Sequence, residues 1–375
     1  MIIKNAEVYQ PDFTFRRGGV YVSGDKFADA PTADGGVIDA EGCYLIPGLI
    51  DIHIHGAMGR DFSDGDEAAI GAMADFLASK GVTAFNPASM TLPEERLLKI
   101  AAAARAHENV RGAILTGITM EGPFFNVCKK GAQNADFLRA PDIGFFDRFN
   151  AASGGMVRVA CVAPELDGAS AFIGHASKVC SVSVGHTEAD YDVATHAFGL
   201  GARLVTHTFN AMPPFSHRAP GLVGAAADSG AYCELICDGV HVHPSMIRAA
   251  VKLFGADRVV LVSDSMMAAG LSDGEYSLGG QAVIVKDGKA TLADGTIAGG
   301  VSNVMDCLRN AVRFGIPLQS AIRMAAANPA EVIGVYDRMG SIEAGKLANF
   351  VLLDPDLNVK SVIIAGRGIP LPTNP

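Results

Sequence analysis

Two histidines, His53 and His55, stand two residues apart at the end of the apolar run Gly48-Leu49-Ile50-Asp51-Ile52-His53-Ile54-His55-Gly56. Side chains at i and i+2 leave a strand on the same face, so a strand here would deliver two imidazoles to one place, as a metal site requires. Pro47-Gly48 marks a turn before the run, and Gly56 ends it without a side chain in the way. A buried strand whose histidines are satisfied by hydrogen bonds is the other reading, and the pair alone does not separate the two. The set of strand ends does. Glu121, His186, His207 and Asp264 each terminate a further apolar run, so core histidines and acids would have to recur at equivalent positions. His107, His175 and His196 fall on helices or connections, where a solvated or capping role suits them. Four histidines and one carboxylate can hold one or two first-row divalent ions, Glu121 bridging through its two oxygens, and mixed nitrogen and oxygen ligands favour Zn or Fe over Mg or Ca. An ion of this kind lowers the pKa of bound water to about 7. Asp264 is left over as general base and then acid. The chemistry implied is hydrolysis at a carbonyl or phosphoryl centre.

The elements that must position these groups read as strand, turn, helix, repeated. Helical stretches at 67–80 and 93–106 follow the first two strands. Further strands are predicted at 81–86, 112–121, 157–163, 179–186, 204–207, 233–238 and 259–264. With the His53/His55 run, these make the eight alternating units of an α/β fold of the TIM (β/α)8 barrel type, whose chemistry sits at the C-terminal ends of its strands. Residues 47–339 are assigned to this barrel. Residues 1–46 and 340–375 carry short β-type runs such as Val20-Tyr21-Val22 and Phe350-Val351-Leu352-Leu353. They predict one small β-sandwich domain built from both termini, because short unpaired strands are unstable alone. Gly-Gly and Asp-Gly turns within 274–298 predict a hairpin insertion before the last helix.

Composition narrows the partners. With 49% apolar and 19% charged residues, the chain has the make-up of a packed α/β enzyme. A net charge of −10 without a basic cluster gives nucleic acid no docking surface, so an anionic substrate must be caught by a few placed cations. The start has no signal-peptide pattern and no run reaches membrane-spanning length, which leads us to expect a cytoplasmic protein with no membrane partner. Seven scattered cysteines without a Cys-x-x-Cys pair read as reduced thiols.

The run from Pro47 to Gly56 resembles the amidohydrolase superfamily. Met120-Glu121-Gly122-Pro123-Phe124, Val184-Gly185-His186-Thr187, His207-Thr208-Phe209-Asn210-Ala211-Met212, Arg218-Ala219-Pro220-Gly221, Asp238-Gly239-Val240-His241 and Val262-Ser263-Asp264 are similar to the N-acetylglucosamine-6-phosphate deacetylases within it. Gly340-Ser341-Ile342-Glu343-Ala344-Gly345-Lys346 looks like the superfamily's return to its small β domain. The resemblance implies a metal-dependent hydrolase that converts N-acetylglucosamine 6-phosphate to glucosamine 6-phosphate and acetate. It implies a principal ion on Glu121, His186 and His207, with His53 and His55 supporting a second. Glu121 takes the place that a carbamylated lysine holds in many relatives. By the same resemblance Asp264 shuttles the proton, Asn210 and Ala211 contact the sugar, and Arg218 and His241 bind the phosphate. Arg218 reaches the neighbouring subunit's site, which implies a homodimer. Two departures stand out: Gln133 follows Lys129-Lys130-Gly131-Ala132 where the family usually has a substrate-contacting histidine, and Gly300 stands where many members have serine. The same reaction on N-acetylgalactosamine 6-phosphate is the near alternative, and a sugar-phosphate-binding protein without catalysis is the alternative from another class. The latter would need no proton shuttle.

Overall fold

Eight parallel strands carry the middle of the chain in the computed structural model, which describes residues 1–31 and 36–371. They are β1 (Leu49–Ile54), β2 (Val82–Pro87), β3 (Ile118–Met120), β4 (Val157–Val162), β5 (Ser181–Val184), β6 (Ala202–Val205), β7 (Tyr232–Ile236) and β8 (Val259–Val262). Strands β3 to β8 form one parallel sheet in chain order; β1 and β2 form a second with the short strand Ile114–Leu115. A parallel bridge between Ala88 and Thr119 joins the two. At the other edge Asp264 N donates to His53 O at 2.9 Å and His55 N to Ser265 O at 2.8 Å. The sheet therefore curls until the C-terminal ends of β8 and β1 meet. The expected single strand over 112–121 is split, its first part pairing with β2 and its second with β4. Gly117 lies in the break, so close to Arg158 that a Cβ there would fall 2.1 Å from the arginine Cγ.

Both faces of this sheet are buried, which is why its strands read as continuous apolar runs without alternation. Ile50, Ile52, Ala84, Val159, Cys161, Leu204, Ile236, Val260 and Val262 pack together as one cluster. Val82, Val157, Val182, Val205 and Leu261 pack with Phe76, Phe146, Phe172 and Leu308 in another. Two of the covering helices, Glu67–Ser79 and Glu94–Ala106, lie where their periodicity predicts. Asp66 caps the first by accepting from Ala69 N at 2.7 Å, a contact worth about 1 kcal/mol.

The termini meet through Tyr44–Pro47. This strand pairs in parallel with Ile2–Tyr9 and antiparallel with Phe350–Leu353, so the two ends of the chain share one mainly antiparallel sheet of eight strands. Phe27, from the first end, and Phe350, from the second, share its apolar cluster with ring centroids 5.9 Å apart. Residues 32–35 and 372–375, which the expected small domain includes, lie outside the described residues. The expected hairpin in 274–298 carries a third strand: Gly274–Leu278, Gln281–Lys286 and Lys289–Thr291 form an antiparallel sheet. Among the described residues no helix is long and apolar enough to cross a membrane.

Candidate metal centre

All six strand-end residues converge. His53 and His55 come from the end of β1 and the residue after it, Glu121 follows β3, and His186, His207 and Asp264 lie two residues beyond β5, β6 and β8. Their ligand atoms fall into two groups, His53/His55/Asp264 and Glu121/His186/His207, within each of which every pair is closer than 4.8 Å. Glu121 joins the groups. Its Oε1 lies 3.1 Å from His186 Nε2, 3.2 Å from His207 Nε2 and 3.4 Å from His53 Nε2, while its Oε2 lies 3.4 Å from His55 Nε2. Asp264 Oδ1 stands 3.2 Å from His55 Nε2 and 3.6 Å from His53 Nε2.

This donor set fits a divalent ion. Tetrahedral bonds of ~2.0–2.1 Å place ligand atoms roughly 3.3 Å apart, and the Glu121/His186/His207 atoms stand 3.0 to 3.2 Å apart. His53 Nε2 is buried without a hydrogen-bond partner. The outer nitrogens are already engaged: His55 Nδ1 meets Ala88 O at 3.2 Å and His186 Nδ1 meets Lys129 O at 2.8 Å, which leaves each Nε2 facing inward. Burial, joined by the charge of His207 and only partly offset by Glu121 and the Lys129 carbonyl, holds His186 below the usual imidazole range, and so in the neutral form a ligand needs. Burial by itself would raise the Asp264 carboxyl, but the hydrogen bond from His55 and the neighbouring imidazoles outweigh it and bring it down to about 2. At neutral pH Asp264 is a carboxylate, ready to take a proton.

The backbone is strained where the chemistry is. His186, His207 and Asp264 have φ of 49°, 25° and 47°, a left-handed region that costs a non-glycine residue about 1–3 kcal/mol. Each turn aims its side chain across the strand end. Gly299-Gly300 supports the last of them: Gly300 N donates to Asp264 O at 2.6 Å, and a Cβ on Gly300 would fall 2.7 Å from Ser263 O. Glycine at 300 thus follows from how closely this segment lies on the backbone of Ser263 and Asp264, just beyond β8.

The centre opens into a cleft of about 240 Å³ lined by His55, Glu121, Gln133, His186, His207, Asn210, Ala211, His241 and Asp264, among others. Gln133 is buried, and both ends of its amide are committed: Nε2 donates to Glu121 Oε2 and Oε1 accepts from Thr91 N, each at 2.6 Å. It holds the bridging carboxylate, a contact the sequence did not disclose. Asn210 turns its amide back on His207 O and Thr208 O. Arg218 is exposed on the loop after β6 and is not among the residues lining the cleft. Two carboxylates went unassigned in the sequence. Glu234 lies fully buried beneath His53, and Asp238 accepts from His241 Nδ1 at 2.6 Å. A charged residue inside the apolar run Cys233–Cys237 was the available signal, because a buried charge needs a partner.

The Asp238–His241 pair makes a pH-dependent contribution. Burial opposes the charged form of each, and their mutual hydrogen bond and charge prevail, so His241 lies above its ordinary range and Asp238 below. His241 therefore contributes stability fully below its unfolded pKa of about 6.5 and loses it as pH rises through the raised folded value. Asp238 contributes fully above about 3.9 and loses it as pH falls through the depressed folded value. Asp238→Asn should cost about 1.5–3 kcal/mol between roughly pH 4 and 6.5, and less on either side. Urea midpoints at pH 3, 5.5 and 9 check this; a cost independent of pH would mean the pair is not ionised.

The Amidohydrolase family model matches residues 44–369. The N-acetylglucosamine-6-phosphate deacetylase of Bacillus subtilis is 36% identical over 331 residues, 86% of this chain and 84% of that protein. The N-acetylgalactosamine-6-phosphate deacetylase of Escherichia coli O157:H7 is also 36% identical, over 336 residues and 88% of each chain. Among solved structures, a mutant N-acetyl-D-glucosamine-6-phosphate deacetylase of Mycobacterium smegmatis in complex with N-acetyl-D-glucosamine-6-phosphate superposes with a TM-score of 0.92 at 33% identity, covering 98% of this chain and 99% of that one.

Proposed function

We propose that this chain, which belongs to the amidohydrolase family, is an enzyme that removes the acetyl group from N-acetylglucosamine 6-phosphate, giving glucosamine 6-phosphate and acetate. The observation that carries the reading is the convergence of two ligand groups and Asp264 on one cleft. A divalent ion held by Glu121, His186 and His207, with a second on His53 and His55, would polarise the amide carbonyl and make hydroxide available near neutral pH. Zn and Fe suit these donors best. Asp264 accepts the proton of the attacking water and returns it to the departing amine nitrogen, which could not leave as an anion. Asn210 and Ala211 place the sugar, and Gln133 fixes Glu121.

The same reading gives the architecture its finer form: residues 47–339 as a closed (β/α)8 barrel and 1–46 with 340–375 as a β-sandwich. The seven free thiols suit a reducing cytoplasm. The E. coli relative has the same 36% identity as the B. subtilis one, so the galactosamine epimer is the second reading. Acetate release from the two sugar phosphates, measured side by side, separates them; equal kcat/KM would mean that the cleft does not read the C4 hydroxyl.

Arg218 and His241 are assigned to the phosphate, with Arg218 supplied by the partner subunit of a homodimer. The arginine's exposure and its absence from its own chain's cleft support this. Arg218→Ala should raise KM for the phosphorylated sugar strongly and leave the unphosphorylated sugar little changed. Mixing Asp264→Asn with Arg218→Ala subunits should restore activity. Roughly half the dimers are mixed and each holds at most one complete site, so recovery approaches about a quarter of wild-type sites. No recovery from mixed dimers shown to form would place Arg218 in its own subunit's site.

A further inference from the structure

We infer that Glu234 is the positioning residue that makes His53 a metal ligand, and that binding of an ion by the His53/His55 group depends on it; this rests on the two-ion form of the function proposed above. Glu234 is fully buried in the middle of β7. Side chains two apart share a strand face, so Glu234 points the same way as Ile236, which packs with Ile50, Ile52 and Val262 in the cluster beneath the metal centre. Among the described residues no Lys or Arg is a hydrogen-bond or salt-bridge partner of it. Its Oε2 instead takes the Nδ1–H of His53 at 2.9 Å and the backbone N–H of His207 at 3.0 Å.

An imidazole that donates from Nδ1 must present its lone pair at Nε2. The carboxylate fixes both the tautomer and the ring plane, and its negative charge makes Nε2 a stronger donor. On His53 that Nε2 is the buried atom without a hydrogen-bond partner, aimed between Glu121 at 3.4 Å and Asp264 at 3.6 Å. The other two inward-facing histidines with fixed rings, His55 and His186, use backbone carbonyls for this purpose. Of the four histidines of the metal centre, His53 alone uses a carboxylate. That difference concentrates negative charge on the His53/His55 side, which has no bridging oxygen of its own apart from Glu121 and Asp264.

The role is selective, and so is its test. Metal-depleted wild type, Glu234→Gln and His53→Ala would each be titrated with Zn by equilibrium dialysis with elemental analysis, and the unfolding of the metal-free proteins would be compared by circular dichroism. The amide oxygen of Gln still accepts from His207 N–H, so the Glu121/His186/His207 class should keep its affinity. The same amide oxygen also reaches His53 Nδ1–H but carries no negative charge, so the other class should weaken about 10–100-fold, the usual effect of altering an outer-shell partner. His53→Ala should abolish that class. Two classes with unchanged affinities in a folded Glu234→Gln protein would overturn the assignment and leave the two-ion reading standing. A single class in wild type, indifferent to His53→Ala, would overturn both. Equal weakening of both classes would make Glu234 a general structural support and would also overturn the assignment.

Discussion

Glu121→Ala should abolish acetate release and leave the protein unable to hold its principal ion, as chelation should for the unaltered chain. Glu121 is the one residue that faces every imidazole of the centre, through Oε1 to His53, His186 and His207 and through Oε2 to His55. Its carboxyl is held well below the usual range: burial opposes ionisation, and the surrounding histidines more than reverse it. Removing it leaves four inward-facing imidazoles with Asp264 beside His53 and His55 and with Glu234 lying behind His53, and no carboxylate between the two groups. Activity after chelation should return on adding Zn, Fe, Mn or Co, but not in Glu121→Ala. Stability should fall with the ion, by about 4 kcal/mol when the free ion had been at a thousand times its Kd. Full turnover by protein shown by elemental analysis to be metal-free would end the hydrolytic-metal reading.

The centre was legible in the sequence because parallel strands buried on both faces leave few ionisable residues, and a histidine or acid that closes an apolar run stands out. His53, His55, Glu121, His186, His207 and Asp264 could be picked out for that reason, and the structure brings them within reach of one another. The strands themselves were legible from continuous apolar runs bounded by turn residues; the predicted 233–238 is observed as Tyr232–Ile236. What was not legible depends on contacts distant in sequence. Gln133 could be seen as a departure, but not that its loop folds back so that its amide spans Glu121 and Thr91 N. Gly300 had no evident reason until its approach to Ser263 O was visible. Glu234 sat inside an apolar run and was read as part of the strand, because periodicity identifies a buried segment without saying which of its members needs a partner. The third insertion strand, Lys289–Thr291, is too short for a pattern of its own and exists through pairing with Gln281–Lys286.

Asp264→Asn should reduce kcat by about 10²–10⁴-fold, the usual contribution of a positioned acid–base group, while the Glu121/His186/His207 group keeps its ion. The two roles can be told apart because the geometry separates them. Asp264 lies on the His53/His55 side, 3.2 Å from His55 Nε2, and the Glu121 group is complete without it. Asparagine keeps the size of the side chain and one oxygen for His55, so the fold and the left-handed turn at position 264, held by the hydrogen bonds of Asp264 N to His53 O and of Gly300 N to Asp264 O, should survive. What it cannot do is take a proton and give it back. The loss should therefore fall on kcat, with the substrate's dissociation constant little changed, and the acidic limb of the kcat profile should disappear with the carboxyl that produces it. Elemental analysis, substrate binding by calorimetry and a pH–rate series on one preparation decide the matter. Near-normal turnover with metal retained would assign the proton to another group in the cleft, with His241 the first to be tested.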